Sequence, residues 1–331
     1  MKLPKIYKDK DVDLELIKDK CIAIIGYGNQ GRAQALNLRD SGVDVRIGLR
    51  EESERIVEAD TEGFICLPIE EAVENCDIIS ILTPDQVMGE VYQEHIASNM
   101  KDGQTLLFSH GYNIHYGVIQ PLGFINVVMA APSGAGTELR KRYTDGSGMP
   151  GLFAVYQDHS GDSEKTVLAY CRAIGLTKSG VVKSTFKEET ETDLFGEQII
   201  LTGGIPRLIQ SSYKVLHDAG YSPAVSWMVC YYELKTIVDM FHSKGFGFMN
   251  AAISDTAEYG GITRGGRVIN EDVETIMKNT LEEIQSGEFH AEWQKEHDSG
   301  YPLLEKLRKE VKELPIEAIS QYMLKELFGD K

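Results

Sequence analysis

Short β-branched and apolar runs alternate with helical patterns through the first half of the chain. The runs are CIAIIG (21–26), DVRIGL (44–49), DIISILT (77–83), QTLLFSHG (104–111), NVVMAAP (126–132) and LFAVYQ (152–157). Several are apolar throughout, as expected of strands buried on both faces of a parallel sheet. Helical patterns lie between them, at Gln30–Asp40, closed by Ser41 and Gly42, and at Ile69–Asn75. This alternation predicts βαβ units and a doubly wound α/β sheet. After VVKSTF (181–186) the texture changes. LFGEQIILTGG, SPAVSWMVCYYELKTIVDMFHS and EDVETIMKNTLEEIQSG carry apolar residues at i, i+3 and i+4, with almost no strand candidates. The chain is therefore expected to divide into an α/β domain over 1–185 and an all-α domain over 186–331. The stretch VSWMVCYYELKTIVDMF is apolar around most of a helix and needs cover on all sides. Either a subunit interface or a large intramolecular core would supply it.

Length agrees with two domains, since 331 residues is about twice the roughly 150 typical of one. No apolar run approaches the roughly 20 residues that span a bilayer, so no membrane partner is expected. The opening MKLPKIYKDKDVDLELIKDK lacks the apolar core of a signal peptide, which points to a cytoplasmic protein. Thirty-four basic against 51 acidic residues give a net charge of −17, which disfavours nucleic acid as a partner. The five cysteines are odd in number, widely spaced and without a CxxC. They are expected to be reduced thiols, not a disulfide frame or a zinc site.

One motif carries strong chemistry. Gly26-x-Gly28-x-x-Gly31 directly follows a strand and opens a helix, the context a dinucleotide-binding turn requires. Gly26 would permit the tight turn, Gly28 the approach of a pyrophosphate, and Gly31 close helix–strand packing. The helix N-terminus then offers N–H groups and a positive dipole end to the phosphates. Cofactor choice falls to the end of the second strand, where the chain reads GLREESER. Carboxylates there favour the ribose 2′-OH of NADH, and Arg or Ser side chains the 2′-phosphate of NADPH. Arg50, Ser53 and Arg55 alternate with Glu51, Glu52 and Glu54, so both types are present.

Further signals sit where ligands bind open α/β sheets, at the carboxyl ends of the strands. His110 in FSHGYNIHYG follows the fourth run, and the Gly-rich APSGAG loop follows the fifth. In KEETETDLFGEQ, Asp193 and Glu197 stand at i and i+4 on one helix face. Like charges so placed suit a hard cation such as Mg²⁺, which takes oxygen ligands. Together with Glu188, Glu189 and Glu191 they could equally be a solvated acidic face. Glu233 lies inside an apolar helix, where a buried carboxylate would need a metal or Lys235 as compensation.

The segments YGNQGRAQALNLRDSG, LTPDQVMGEVY, SHGYNIHYG, TFKEETETDLFGEQ, ELKTIVD and ISDTAEYG occur in an order and spacing that resembles the short-form (class I) ketol-acid reductoisomerases over essentially the whole chain. The resemblance implies a Rossmann-like domain joined to a knotted all-helical domain. It also implies an obligate homodimer, possibly a higher oligomer, with active sites drawn from both subunits. The implied reaction converts 2-acetolactate or 2-aceto-2-hydroxybutyrate to the corresponding 2,3-dihydroxy acid in branched-chain amino-acid synthesis. Mg²⁺ would act as Lewis acid while an alkyl group migrates, and nicotinamide would then deliver hydride. By the same resemblance, His110 is the active-site histidine, Asp193, Glu197 and Glu233 are metal ligands, and Ser254 is a substrate contact. The dinucleotide would be held by Gly26, Tyr27, Gly28, Asn29, Gln30, Gly31, Arg50, Ser53, Glu54, Asp85, Gln86, Val87, Met88 and Gly136.

Two positions depart from the family pattern. Ser133, in APSGAG, stands at the catalytic loop where the family carries lysine. Val229 stands where the family has the first of two glutamates four apart, the second being Glu233. Val229 cannot ligate a cation, and Ser133 removes a positive charge, so the local charge count is unchanged. A paralogue that reduces a 2-oxo acid without the migration, and a catalytically silent nucleotide-binding protein, are the competing readings. The interleaved charges of GLREESER lead to an expectation of dual cofactor use that leans to NADH.

Overall fold

A computed structural model of the chain describes residues 3–329, which form two compact units dividing between Thr192 and Asp193. In the first unit the chain runs through β1 (Ile6–Tyr7), α1 (Glu15–Lys18), β2 (Cys21–Ile25), α2 (Asn29–Asp40), β3 (Asp44–Leu49), α3 (Arg55–Thr61), β4 (Ile65–Pro68) and α4 (Ile69–Asn75). It continues through β5 (Ile78–Ile81), α5 (Asp85–Val91), β6 (Thr105–Phe108), α6 (Tyr112–His115), β7 (Asn126–Pro132) and α7 (Gly136–Thr144). It then forms β8 (Gly151–Gln157), α8 (Ser163–Ala173), α9 (Leu176–Ser179) and β9 (Val181–Lys183), and the division falls within the next helix, α10 (Phe186–Gly196).

The nine strands form one sheet in the order β1-β9-β8-β7-β6-β5-β2-β3-β4. From β4 to β7 every pairing is parallel; β7–β8 and β1–β9 are antiparallel. Strand order reverses between β2 and β5, the switch point at which such sheets bind ligands. Alternation along β2 explains its uninterrupted apolar sequence. Ile22 and Ile24 pack into one core layer with Leu38, Ile47 and Tyr170, and Ala23 and Ile25 into the other with Ile79, Ile81 and Phe108.

The sequence pattern missed β4, whose four residues are half exposed on the edge of the sheet. The last strand, β9, stops at Lys183, and Phe186 already belongs to α10. The expectation of five reduced thiols is corrected, because Cys21 and Cys76 are joined as a disulfide. The reason is sheet order: β2 and β5 are neighbours, so residues 55 apart in sequence lie with Cα atoms 4.6 Å apart.

The second unit is helical. It comprises α11 (Gly204–Asp218), α12 (Pro223–Trp227), α13 (Glu233–Lys244), α14 (Phe246–Ala252) and α15 (Asp255–Val268). These are followed by α16 (Glu271–Ser286), α17 (Glu288–Asp298), α18 (Pro302–Lys312) and α19 (Pro315–Phe328). A small core gathers around Trp227, whose indole N–H donates to Ser320 Oγ at 2.8 Å. Among the described residues no helix is long and apolar enough to cross a membrane.

Candidate active site

Gly26 follows β2 with φ +97°, a backbone region that strains any L side chain. A Cβ on Gly31 would fall 2.2 Å from the Gly26 carbonyl oxygen, so α2 can close on the turn only with glycine there. A Cβ on Gly28, by contrast, would meet nothing within 4 Å. Gly28 caps the N-terminus of α2, and the open space before it faces N–H groups and a positive dipole end. The turn therefore fits the pyrophosphate of a dinucleotide.

Tyr27 braces this turn from behind. Its ring is buried, and its hydroxyl donates to Glu62 Oε2 at 2.5 Å. Burial, reinforced by that hydrogen bond to Glu62, holds its pKa far above the ordinary tyrosine value. Arg32 Nε donates to the same carboxylate at 3.0 Å. Asn29 and Gln30 tie the turn to the APSGAG loop: Thr137 N–H donates to Asn29 Oδ1 at 2.8 Å, and Gln30 Nε2 donates to the Gly134 carbonyl at 2.9 Å. Gly136 opens α7 so close to the turn that a Cβ would lie 2.1 Å from the Asn29 carbonyl oxygen. Ser133 lies exposed at the start of this loop.

At the carboxyl ends of β3 and β4, Arg50, Glu51, Glu52 and Ser53 line a pocket of about 550 Å³. Glu54 and Arg55 are not part of that lining; Glu54 caps α3, and Arg55 Nη1 pairs with Glu58 Oε2 at 2.7 Å. Asp85, Gln86 and Val87 sit half-buried at the start of α5, whereas Met88 is packed in the core.

His110 follows the carboxyl end of β6, and its partner was not singled out in the sequence. Glu189, on α10, is only 4% exposed. Its Oε1 lies 3.0 Å from His110 Nδ1, and its Oε2 accepts from the Gly111 N–H at 2.7 Å. Gly111 makes this approach possible, because a Cβ there would be 2.6 Å from the Phe186 carbonyl oxygen and from Thr190 Oγ1. Phe186 anchors α10, packing edge-on to Phe108 and Tyr156. A second buried pair follows, Glu191 Oε1 lying 3.4 Å from His115 Nε2. Burial lowers the His115 pKa, and Glu191 opposes the shift. These two glutamates therefore do not belong to a solvated face. Acidic residues in KEETETDLFGEQ look alike in sequence, and only the docking of α10 separates them.

Asp193 stands one turn beyond Glu189 on α10, and Glu197 one turn beyond Asp193. Glu197 begins a π-helical turn, Glu197–Leu201, and Glu233 directly follows another, Met228–Tyr232. Such turns recur at functional sites. Val229 and Glu233 line one pocket of about 340 Å³. The expectation of a buried Glu233 compensated by a metal or by Lys235 is corrected in its burial: Glu233 is exposed, and Lys235 Nζ pairs with Asp239 at 2.5 Å. The helix turns residues 233, 235, 236 and 239 outward, so the Glu233 carboxylate is not buried in the single chain. Ser254 caps α15, its Oγ accepting from the Ala257 N–H at 3.3 Å.

Comparison with known proteins gives two family matches that together cover most of the chain. Residues 16–180 match the acetohydroxy acid isomeroreductase NADPH-binding domain, and residues 186–327 the ketol-acid reductoisomerase C-terminal domain. The chain is 48% identical to the ketol-acid reductoisomerase (NADP(+)) of Methanopyrus kandleri over 98% of both chains. It is 49% identical to the enzyme of the same name from Clostridioides difficile, over 93% of this chain and 94% of that one. Among solved structures, an NADH-preferring ketol-acid reductoisomerase from an uncultured archaeon is 40% identical, with a TM-score of 0.95, over 98% of this chain and all of that one. The chain thus belongs to the ketol-acid reductoisomerase family, an NAD(P)H-dependent oxidoreductase with an α/β nucleotide-binding unit followed by a helical one.

Proposed function

We propose that the chain is a working ketol-acid reductoisomerase acting on 2-acetolactate or 2-aceto-2-hydroxybutyrate, with NADH or NADPH and Mg²⁺. The carrying observation is the clamp of Glu189 on His110 and Gly111, at the carboxyl edge of the sheet that also bears the glycine turn. With Glu189 ionised, the imidazole proton is held on Nδ1 and Nε2 is the basic nitrogen, which suits it to move a proton at a substrate hydroxyl. A bound nicotinamide supplies hydride, and a divalent cation supplies Lewis acidity. Asp193, Glu197 and Glu233 offer hard oxygen donors of the kind Mg²⁺ takes, and Ser254 a hydroxyl for substrate.

Dual cofactor use leaning to NADH is supported by the pocket at β3. Two carboxylates, Glu51 and Glu52, line it beside Arg50 and Ser53, while Arg55 is drawn to Glu58. A homodimer is supported by the helical unit. Val225, Val229, Tyr259 and Ile262 are each 48 to 66% exposed in the single chain, an apolar surface that association would cover.

The test is product identification. Acetolactate with NADH or NADPH and Mg²⁺ is expected to yield 2,3-dihydroxy-isovalerate by NMR. Recovery of unchanged acetolactate, while 3-hydroxy-3-methyl-2-oxobutanoate is reduced, would replace this reading with that of a simple 2-oxo acid reductase.

A further inference from the structure

The pocket at the carboxyl ends of β3 and β4 has a second wall. Opposite the loop of Arg50, Glu51, Glu52 and Ser53 stand Glu70, in the first turn of α4, and His95. His95 belongs to a π-helical turn, Tyr92–Ile96, that continues α5. Its Nδ1 lies 2.5 Å from Glu70 Oε1, and its Nε2 is 3.9 Å from Glu94 Oε2. The hydrogen bond from His95 holds the Glu70 carboxyl below the usual carboxylate range. Neither residue serves the glycine turn or the His110 clamp.

A dinucleotide with its pyrophosphate at the Gly26–Gly31 turn directs its adenosine ribose to the end of the second parallel strand, here β3. A volume of about 550 Å³ falls within the range of small-molecule sites. We propose that the Glu70–His95 pair is a specificity-determining wall of this adenosine pocket, setting its preference between a ribose 2′-hydroxyl and a 2′-phosphate. The inference rests on the dinucleotide reading above.

The argument is one of charge. A 2′-phosphate carries about −2 and would share the pocket with Glu51, Glu52 and Glu70. Arg50 opposes those carboxylates at any pH, and His95 does so only when protonated. A neutral His95 leaves Glu70 uncompensated and the pocket one unit more negative, to the disadvantage of the phosphate. The 2′-hydroxyl is uncharged and is little affected by either state. Glu94 adds a further carboxylate on the His95 turn itself.

Calorimetric titration of the full chain with 2′,5′-ADP and with 5′-AMP reads the pocket without turnover. Glu70→Gln is expected to raise the affinity ratio of 2′,5′-ADP over 5′-AMP about fivefold or more, the scale of removing one charge near a phosphate. His95→Gln is expected to lower that ratio. His95→Asn, like His95→Gln, carries an amide donor and no charge, and is expected to act the same way. A purely structural role moves both probes together, and equal changes in both, or none, would overturn the inference. Failure of the wild-type chain to bind either probe, NADH or NADPH would instead overturn the dinucleotide reading.

Discussion

Glu189 holds His110 and its neighbour with one carboxylate, Oε1 at 3.0 Å from His110 Nδ1 and Oε2 at 2.7 Å from the Gly111 N–H. Glu189→Gln keeps the shape but offers only one acceptor for two donors. It is expected to lower kcat by about 10- to 100-fold, the usual cost of losing a group that orients a catalytic one. The pH–rate profile should shift with it, because the imidazole loses its ionised partner. Steady-state kinetics from pH 5 to 9, with near-UV circular dichroism to confirm folding, reads both effects. A twofold change in kcat with an unmoved profile would count against the role.

The second and third glycines of the turn should respond differently to the same methyl group. Gly31→Ala places a carbon 2.2 Å from the Gly26 carbonyl oxygen, and overpacking of this kind costs about 1–3 kcal/mol. Gly28→Ala meets nothing within 4 Å, so urea unfolding should be nearly unchanged. Its effect should fall on NADH and NADPH affinity, since the carbon occupies the space a pyrophosphate needs. Equal losses of stability in both variants would contradict this account of the turn.

How far the sequence could be read depends on what each residue does. The strands β2, β6 and β7 were legible because burial on both faces writes a nearly unbroken apolar run. Strand β4 was not, since its edge position leaves it half exposed and four residues long. The glycine turn was legible because glycine spacing records backbone geometry directly. Glu189 was not, because its partner lies 79 residues away and nothing local distinguishes it from Glu188. The same holds for Glu62, which grips Tyr27 from 35 residues along the chain, and for the Cys21–Cys76 pairing. Burial of Glu233 was misjudged because apolar composition alone does not say which arc of a helix faces outward.

The Glu62 clamp carries a pH signature. Burial pushes its carboxyl up, but hydrogen bonds from Arg32 and Tyr27 outweigh burial and hold it below the ordinary range. A depressed folded-state pKa adds stability that is fully present above the unfolded value, about 4.3, and is lost as pH falls through the folded value. Glu62→Gln should therefore destabilise the chain at pH 7 by about 1–3 kcal/mol and flatten the loss of stability below pH 4. Urea titrations across pH 3 to 7 read both. An acid limb as steep as that of the wild type would refute the assignment.

The metal reading turns on two substitutions from the family pattern. Asp193→Asn should abolish acetolactate turnover while leaving NADH affinity intact. Val229→Glu, which adds a carboxylate beside Glu233, should strengthen Mg²⁺ binding, most clearly when Ser133→Lys offsets the added charge. Mg²⁺ titrations of the wild type, both single variants and the double variant compare the four. Unchanged affinity in all of them would place residue 229 outside the metal site.

The most direct measurement is nicotinamide oxidation with acetolactate and with 3-hydroxy-3-methyl-2-oxobutanoate, each with and without Mg²⁺. Substantial, Mg²⁺-dependent kcat/KM on acetolactate is the expected result, with both cofactors used and NADH preferred. Turnover of only the already isomerised substrate would contradict the claim that this chain performs the complete reaction.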